Sequence, residues 1–252
     1  MYIKKTYYTG KVVEVEKVQT FRYHGKKTSR GPVVQKTPEK MAACNERNCG
    51  KKLRRILNAN FDNKAFHLVL TYDPKMRAAN PTAAKEDLAK FFRAIKARAK
   101  KQGKVVKYVA VSEYGKRSMH HHVVLDCGLT IAEIIECWNH GRVHFTALDS
   151  TGDYSRLAEY LMKQSKKTFQ DVERRVHAKR FCCSKNLDRP EPKVEIVKAD
   201  SWREDPVAPK GYMVQQDTIF SYADKDEEEN DYYTGWPYQY YRCIRIEGGA
   251  PC

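Results

Sequence analysis

Residues 105–125, with the sequence VVKYVAVSEYGKRSMHHHVVL, contain two apolar segments separated by a polar turn. Valine is concentrated in both segments, as is typical of strands, and Gly115 stands in the turn. The pattern predicts two antiparallel strands, one ending at Ser112 and one running from Met119 to Leu125. These two strands are the centre of the predicted fold.

The flanking segments complete a regular order of strands and helices. In chain order they are a buried strand at 66–72, a helix that Asn80-Pro81 begins and Gly103 ends, a helix that a capping box of Thr130 and Glu133 begins, and a strand at 141–145. The order strand, helix, strand, strand, helix, strand is that of the ferredoxin-like split βαβ arrangement. We therefore expect an α+β fold with a central antiparallel sheet of about four to five strands and helices on its faces.

Composition and patterning divide the chain into three parts. Residues 1–60 form a basic extension with a strand and a helix, begun by Thr37-Pro38, which we expect to pack on the core. Residues 61–181 contain the ferredoxin-like elements. Residues 182–252 are acidic and aromatic, with an acidic run at 224–231, and the pattern predicts an extended, partly mobile extension.

The charge is strongly basic and unevenly distributed. The formal net charge is +16; residues 1–190 carry 40 basic and 18 acidic side chains, whereas residues 191–252 carry 7 and 13. A cationic surface attracts polyanions and gains affinity from counterion release, so nucleic acid is the first candidate partner. A solvated, lysine-rich surface is the alternative explanation.

No apolar stretch approaches the roughly 20 residues that a membrane span requires, and the N-terminus lacks the apolar segment of a secretion signal. We therefore expect a cytoplasmic protein without a membrane partner. Its eight cysteines are then expected to be reduced thiols, and their spacings match no common zinc pattern.

Three side chains could form a metal site. His120 and His122 are expected on one face of their strand and His121 on the other, because side chains alternate along a strand. Glu113, near the end of the neighbouring strand, can add a carboxylate oxygen. Two nitrogens and one oxygen leave positions open for a substrate and suit Mn²⁺, although imidazole also suits Zn²⁺. The alternative is an ordinary solvent-facing strand surface.

A later helix carries a possible nucleophile. At about 100° per residue, Arg156, Tyr160, Lys163 and Lys167 fall on one side of it. A phenol with an ordinary pKa of about 10 needs help to attack, and nearby cations favour the phenolate. The alternative is an exposed helix face without chemistry.

Three motifs, in this order, resemble those of rolling-circle replication initiators (Rep) of the HUH endonuclease superfamily, of the type found in bacterial mobile elements and single-stranded DNA phages. They are HLVLTY at 67–72, SEYG at 112–115 leading to the triple histidine at 120–122, and EYLMK at 159–163. The resemblance covers about residues 45–170. It implies an enzyme that nicks and rejoins DNA by transesterification.

The resemblance also assigns roles to individual residues. It implies that His120, His122 and Glu113 bind a divalent metal, Mn²⁺ or Mg²⁺, and that Tyr160 is the nucleophile with Lys163 as its helper. The expected substrate is single-stranded or extruded origin DNA, cut through a 5′-phosphotyrosine intermediate that leaves a 3′-OH primer. A host DNA polymerase and helicase are the expected partners, in a bacterial cytoplasm. Because Tyr154 lies six residues before Tyr160, about 240° around the helix, a single-tyrosine mechanism is expected.

Seven basic residues are candidates for DNA contact: Arg54, Arg55, Lys116, Arg117, Arg142, Arg156 and Lys167. His67, His140 and His144 are expected to be structural or DNA-facing. Three alternatives stay open: a single-tyrosine transposase or relaxase with the same chemistry, a non-catalytic nucleic-acid-binding module, and a metal hydrolase that does not need the tyrosine.

Overall fold

The computed structural model describes residues 1–19, 39–114, 119–222 and 237–246. It divides into two compact units. The central unit comprises Ile56–Arg189, and the terminal unit comprises Met1–Arg55 together with Pro190–Cys252. Where the sequence predicts two separate extensions around a core, the two ends of the chain therefore belong to one unit.

The central unit contains a five-stranded antiparallel sheet. Its elements are β3 (Phe66–Thr71), α2 (Pro81–Lys101), β4 (Lys107–Tyr114), β5 (Met119–Asp126), α3 (Ile131–Ile135), β6 (Val143–Ala147), α4 (Ser155–Gln170) and β7 (Cys182–Cys183). The sheet order is β6-β3-β5-β4-β7, and all the pairings are antiparallel. The predicted α+β class with a central antiparallel sheet is confirmed.

Local sequence signals explain where α2 and α3 begin. The Asn80 side chain accepts a hydrogen bond from the Ala83 N–H at 2.9 Å, and Pro81 occupies the first helical position, where its missing N–H costs nothing. Thr130 and Glu133 form the predicted capping box. Helix α3 nevertheless ends at Ile135, after five residues.

The two faces of this sheet have different neighbours. One face packs Leu68, Leu70 and Val123 against apolar side chains of α2 and α3, which include Phe91 and Ile134. The opposite face carries Glu113, His120 and His122, because these residues alternate with the core-facing ones along their strands. Helix α4 packs along β4.

The terminal unit contains a second antiparallel sheet. Its strands are β1 (Tyr2–Thr9), β2 (Val12–Gln19), β8 (Lys193–Val197), β9 (Tyr212–Tyr222) and β10 (Tyr238–Arg245), in the order β8-β1-β2-β10-β9. The C-terminal residues expected to be an extended segment thus supply three strands. Helix α1 (Glu39–Asn60) contributes its residues up to Arg55 to this unit. The predicted cap at Thr37-Pro38 lies outside the described residues.

A buried ionic cluster connects α1 to β2. Glu14 is fully buried and receives the Arg54 Nε–H at 2.7 Å and the Arg55 Nε–H at 2.8 Å. Glu16 pairs with Arg55 at 2.9 Å and with Lys51 at 3.0 Å. Both arginine side chains are about nine-tenths buried. This placement gives Arg54 and Arg55 a structural role instead of the DNA contact that the sequence predicts.

No helix in the described part of the chain is both long enough and apolar enough to cross a membrane.

Replacement of Glu14 by alanine should destabilise the terminal unit strongly. It would leave two buried guanidinium groups without their carboxylate, a change that costs about 3–5 kcal/mol. The free energy of unfolding, measured by denaturant titration, checks this. Glu195→Ala is the control, because Glu195 forms only partly exposed pairs with Lys4 and Lys193, and its loss should cost about 1 kcal/mol or less.

Candidate active site

The register of β4 and β5 places the predicted metal ligands on one face. Glu113 lies directly opposite His120. His122 is two residues further along β5, and therefore on the same face, while His121 points to the other side. The structure thus brings Glu113, His120 and His122 together as the alternation predicts.

His122 is held between two polar side chains. Its Nε2 lies 3.0 Å from Glu113 Oε2, and its Nδ1 lies 3.3 Å from His67 Nε2. The His67 and His122 rings are stacked, with centroids 5.5 Å apart and an interplanar angle of 14°. With the proton of His122 on Nε2, the ring donates to Glu113 and accepts from His67.

Burial keeps both of these rings neutral. It lowers the pKa of His67 to about 4, with a further contribution from His122, and it lowers the pKa of His122 to about 4, with a further contribution from His120. Burial also raises the pKa of Glu113, which His120 opposes. A neutral imidazole is the form that binds metals, so neither histidine must lose a proton near pH 7.

Helix α4 carries Tyr160 to this face. Its buried side includes Ala158, Leu161 and Ser165, which leaves Tyr160 40% exposed. The Tyr160 ring stands edge-on to the rings of His122 and His67, with centroid distances of 5.5 and 5.9 Å. We call Glu113, His67, His120, His122 and Tyr160 the histidine cluster.

One turn further along α4, Gln164 contacts the cluster. In the amide orientation that satisfies both groups, its nitrogen donates to Glu113 Oε1 at 3.0 Å. Glu113 therefore receives one hydrogen bond from α4 and one from β5, and both fix the direction of its carboxylate.

Residues 65–169 match the model of a family described as Replication-associated protein ORF2. The chain carries a replication-associated protein domain of this family. The match contains the whole histidine cluster, covers about two fifths of the chain, and supports a role in replication initiation with DNA as the partner. The resemblance to rolling-circle initiators is confirmed at this level. Neither curated proteins nor solved structures give a significant match.

The cluster of the replication-associated domain offers part of a metal site. Among the described residues, no group of three or more His, Cys, Asp or Glu side chains is arranged to hold an ion as it stands. Glu113 Oε2 and His122 Nε2, however, are 3.0 Å apart, which is about the separation of adjacent donors around an octahedral ion with bonds near 2.1 Å. This pair fits a divalent metal, and His120 is the cross-strand neighbour of Glu113 that could complete the set.

The second histidine of the triplet, His121, serves the core. It is fully buried, its Nδ1 lies 2.8 Å from Ser112 Oγ, and its Nε2 lies 3.2 Å from the Tyr72 hydroxyl. Tyr72 in turn donates to Asp87 at 3.3 Å. Burial lowers the pKa of His121 to about 3. The three consecutive histidines therefore divide between the core and the cluster.

The predicted DNA-contact residues of the replication-associated domain have different placements. Arg142, Arg156 and Lys167 are exposed. The Arg142 carbonyl accepts the Thr71 N–H at 2.9 Å, and Thr71 is paired with His120, so Arg142 lies in the row across the sheet that contains His120. Lys116 and Arg117 lie outside the described residues.

The other tyrosine of this helix region is not available. Tyr154 is 4% exposed, and its hydroxyl donates to the Asp149 carbonyl at 3.1 Å. Burial raises its pKa to about 12. This environment agrees with the expectation that one tyrosine serves as the nucleophile.

Sequence reasoning did not include two members of this site. His67 was expected to be structural or DNA-facing, yet it contacts both His122 and Tyr160. Gln164 carried no expectation. Their positions were available as weak signals: Gln164 is one turn after Tyr160, and His67 alternates with core-facing Leu68 on β3. Neither signal has meaning until the pairing of β3 with β5 is known.

The stability of this unit should fall in acid because of His121. Unfolded histidine takes up a proton below about pH 6.5, while folded His121 stays neutral to about pH 3. Stability is therefore lost as the pH falls from about 6.5, by up to about 1.4 kcal/mol per pH unit for this residue. In His121→Gln the unfolding free energy, measured by denaturant titration between pH 7 and 4, should depend less on pH. His144→Gln, at an exposed position, should retain the wild-type slope.

Proposed function

We propose that this protein is a metal-dependent DNA-nicking and strand-joining replication initiator. It cuts single-stranded or extruded origin DNA through a 5′-phosphotyrosine intermediate and leaves a 3′-OH primer. The observation that carries the proposal is the edge-on contact of the Tyr160 ring with His122, 5.5 Å between centroids, inside a replication-associated domain. This contact puts an exposed phenol beside a pair of donors that the cluster already holds at metal-ligand spacing.

Tyr160 is the nucleophile of the proposed reaction. Its oxygen forms a bond to the phosphorus of the scissile phosphodiester, and the bond from phosphorus to the 3′-oxygen breaks. The phenol loses one proton and the released 3′-oxygen gains one, so protons balance over the step. The phosphotyrosine ester conserves the energy of the broken bond, and attack by a 3′-OH reverses the step and joins strands.

Exposed cations of α4 surround the nucleophile. Lys163 is three residues after Tyr160 and Arg156 is four residues before it, so both lie on the exposed side of the helix that carries the phenol. Lys163 favours the phenolate and balances the charge that develops on the phosphate. Arg156, Lys167 and Arg142 are placed to hold the flanking phosphates of the DNA strand.

Glu113 and His122 would hold the metal, with His120 as the third ligand from its position opposite Glu113. A bound Mn²⁺ or Mg²⁺ ion supplies Lewis-acid polarisation of a phosphoryl oxygen. His67 and Gln164 are positioning residues. His67 orients the His122 ring from its Nδ1 side, and Gln164 orients the Glu113 carboxylate.

Replacement of Tyr160 by phenylalanine should abolish both strand cutting and the covalent adduct. The expected loss is at least about a thousandfold, because the variant has no oxygen to attack with. The measurement is incubation of the protein with Mn²⁺ and labelled single-stranded oligonucleotides that contain origin sequence, followed by denaturing electrophoresis. Affinity for the same oligonucleotide should stay within about twofold.

Tyr154→Phe is the matched control and should retain the adduct, with about 1 kcal/mol less stability from the lost hydrogen bond to Asp149. An adduct that persists in Tyr160→Phe would move the nucleophile to another residue. Cutting without any adduct would point to a metal hydrolase. Binding without cutting in the unaltered protein would point to a non-catalytic DNA-binding module.

Metal binding can be tested without DNA or turnover. Glu113→Gln and His122→Ala should each weaken Mn²⁺ binding, measured by calorimetry or by electron paramagnetic resonance of free Mn²⁺. We expect a loss of about 10–100-fold, and a loss in the same range or smaller for His67→Phe, which removes only the partner of His122.

His144→Ala is the control for this series. His144 is paired with Val69 in the row of the sheet that contains His122, but its side chain is exposed. Its replacement should leave Mn²⁺ affinity within about twofold. Equal losses for His144→Ala and His122→Ala would contradict the assigned ligands.

A further inference from the structure

The terminal unit contains a basic pocket that lies outside the matched residues 65–169. Its volume is about 530 Å³, within the range of small-ligand pockets. It opens beside β1 and β2, and the residues that matter here are Tyr2, Lys4, Lys17, Trp202, Arg203 and Asp205. We call it the Lys17 pocket.

Lys17 is buried without a counter-charge. The residue is 8% exposed, and its ammonium group donates to Gln239 Oε1 at 2.8 Å and lies 5.4 Å from the centroid of the Tyr241 ring. Within the described ranges, no carboxylate forms an ion pair with it. Burial and the neighbouring Lys4 both lower its pKa. Burying an unpaired ammonium is unfavourable, so an anion in the pocket would supply the charge that the protein does not.

The partner of Lys17 is held in one orientation. The Gln239 amide nitrogen donates to the carbonyls of Arg203 and Glu204, each at 3.0 Å. These bonds turn the amide oxygen towards Lys17. The same bonds fix the backbone of the segment that carries Trp202 and Arg203. The polar floor of the pocket is therefore set before any ligand enters.

The pocket wall also offers an aromatic surface. Trp202 is partly buried and meets the buried Tyr2 ring edge-on, with centroids 5.2 Å apart and an interplanar angle of 82°. This contact fixes the plane of the indole. The neighbouring Arg203 is exposed and adds a cation to the same wall. A fixed aromatic ring beside cations is the arrangement that binds a base and its phosphate in single-stranded nucleic acid.

We propose that the Lys17 pocket binds one nucleotide of single-stranded DNA, with the phosphate on Lys17 and Arg203 and the base on Trp202. Lys4 contributes less, because it already pairs with Glu195 at 3.2 Å. Asp205 lines the same pocket and repels the phosphate. The site uses none of the residues of the histidine cluster.

The test uses the full-length chain with Tyr160→Phe in every sample, so that nicking cannot affect the result. Affinity for a fluorescein-labelled oligothymidylate of about eight nucleotides is measured by anisotropy over a range of salt concentrations. Lys17→Met should weaken binding about tenfold and reduce the slope of log affinity against log salt by about 0.7. Trp202→Ala should weaken binding at least about fivefold.

Two control variants make the result decisive. Lys198→Met removes the same charge from an exposed position of the same unit and should change affinity by about twofold or less. Asp205→Asn, at an exposed residue whose replacement does not threaten folding, should strengthen binding and raise the salt slope.

Equal effects of Lys17→Met and Lys198→Met would overturn the proposal, as would weaker binding in Asp205→Asn. Competition by inorganic phosphate together with unchanged affinity in Trp202→Ala would also overturn it, because the pocket would then select a free anion and not a nucleotide. Circular dichroism of Lys17→Met confirms that the sheet is intact.

Discussion

The antiparallel register of β5 between β3 and β4 is the constraint on which the site depends. It sets Glu113 opposite His120 and brings His67 of β3 to His122. A shift of one residue would exchange the two faces of β5, placing His121 beside Glu113 and burying His120 and His122 in the core. The hydrogen bonds of His121 to Ser112 and Tyr72 therefore act as a lock on the register as well as a core contact.

Neutral histidines are characteristic of this domain. Burial lowers the pKa of His67, His121 and His122, and each then accepts or donates hydrogen bonds without carrying a charge. For His121 the consequence is stability that depends on pH. For His67 and His122 the consequence is a pair of rings whose nitrogens are available to a cation near pH 7. The same physical cause, desolvation, thus supports the core on one face of β5 and the proposed chemistry on the other.

The terminal unit shows that basic residues of similar appearance in sequence have different fates. Arg54 and Arg55 lie in a run of cations on α1 that suggests a phosphate contact, yet a fully buried Glu14 holds both. Lys17 stands in an ordinary alternating strand and attracts no attention in the sequence. In the structure it has no carboxylate partner among the described residues, and it faces a pocket with Trp202. Net charge indicates a polyanionic partner but does not identify the residues that contact it.

Local patterns were enough to predict the central unit. The alternation of β5, the Asn80-Pro81 start of α2, the capping box of Thr130 and the exposed stripe of Tyr160 depend only on neighbours in the chain, and the structure has each of them. The sequence therefore determined the fold class, the face shared by His120 and His122, and the exposure of Tyr160. Tertiary structure decided the contacts between residues far apart in the chain: β1 and β2 with β8 and β10, Glu14 with Arg54, and His67 with His122 and Tyr160. Such pairs are set by strand order and register, which are properties of the whole sheet and leave no periodic signal in either partner segment.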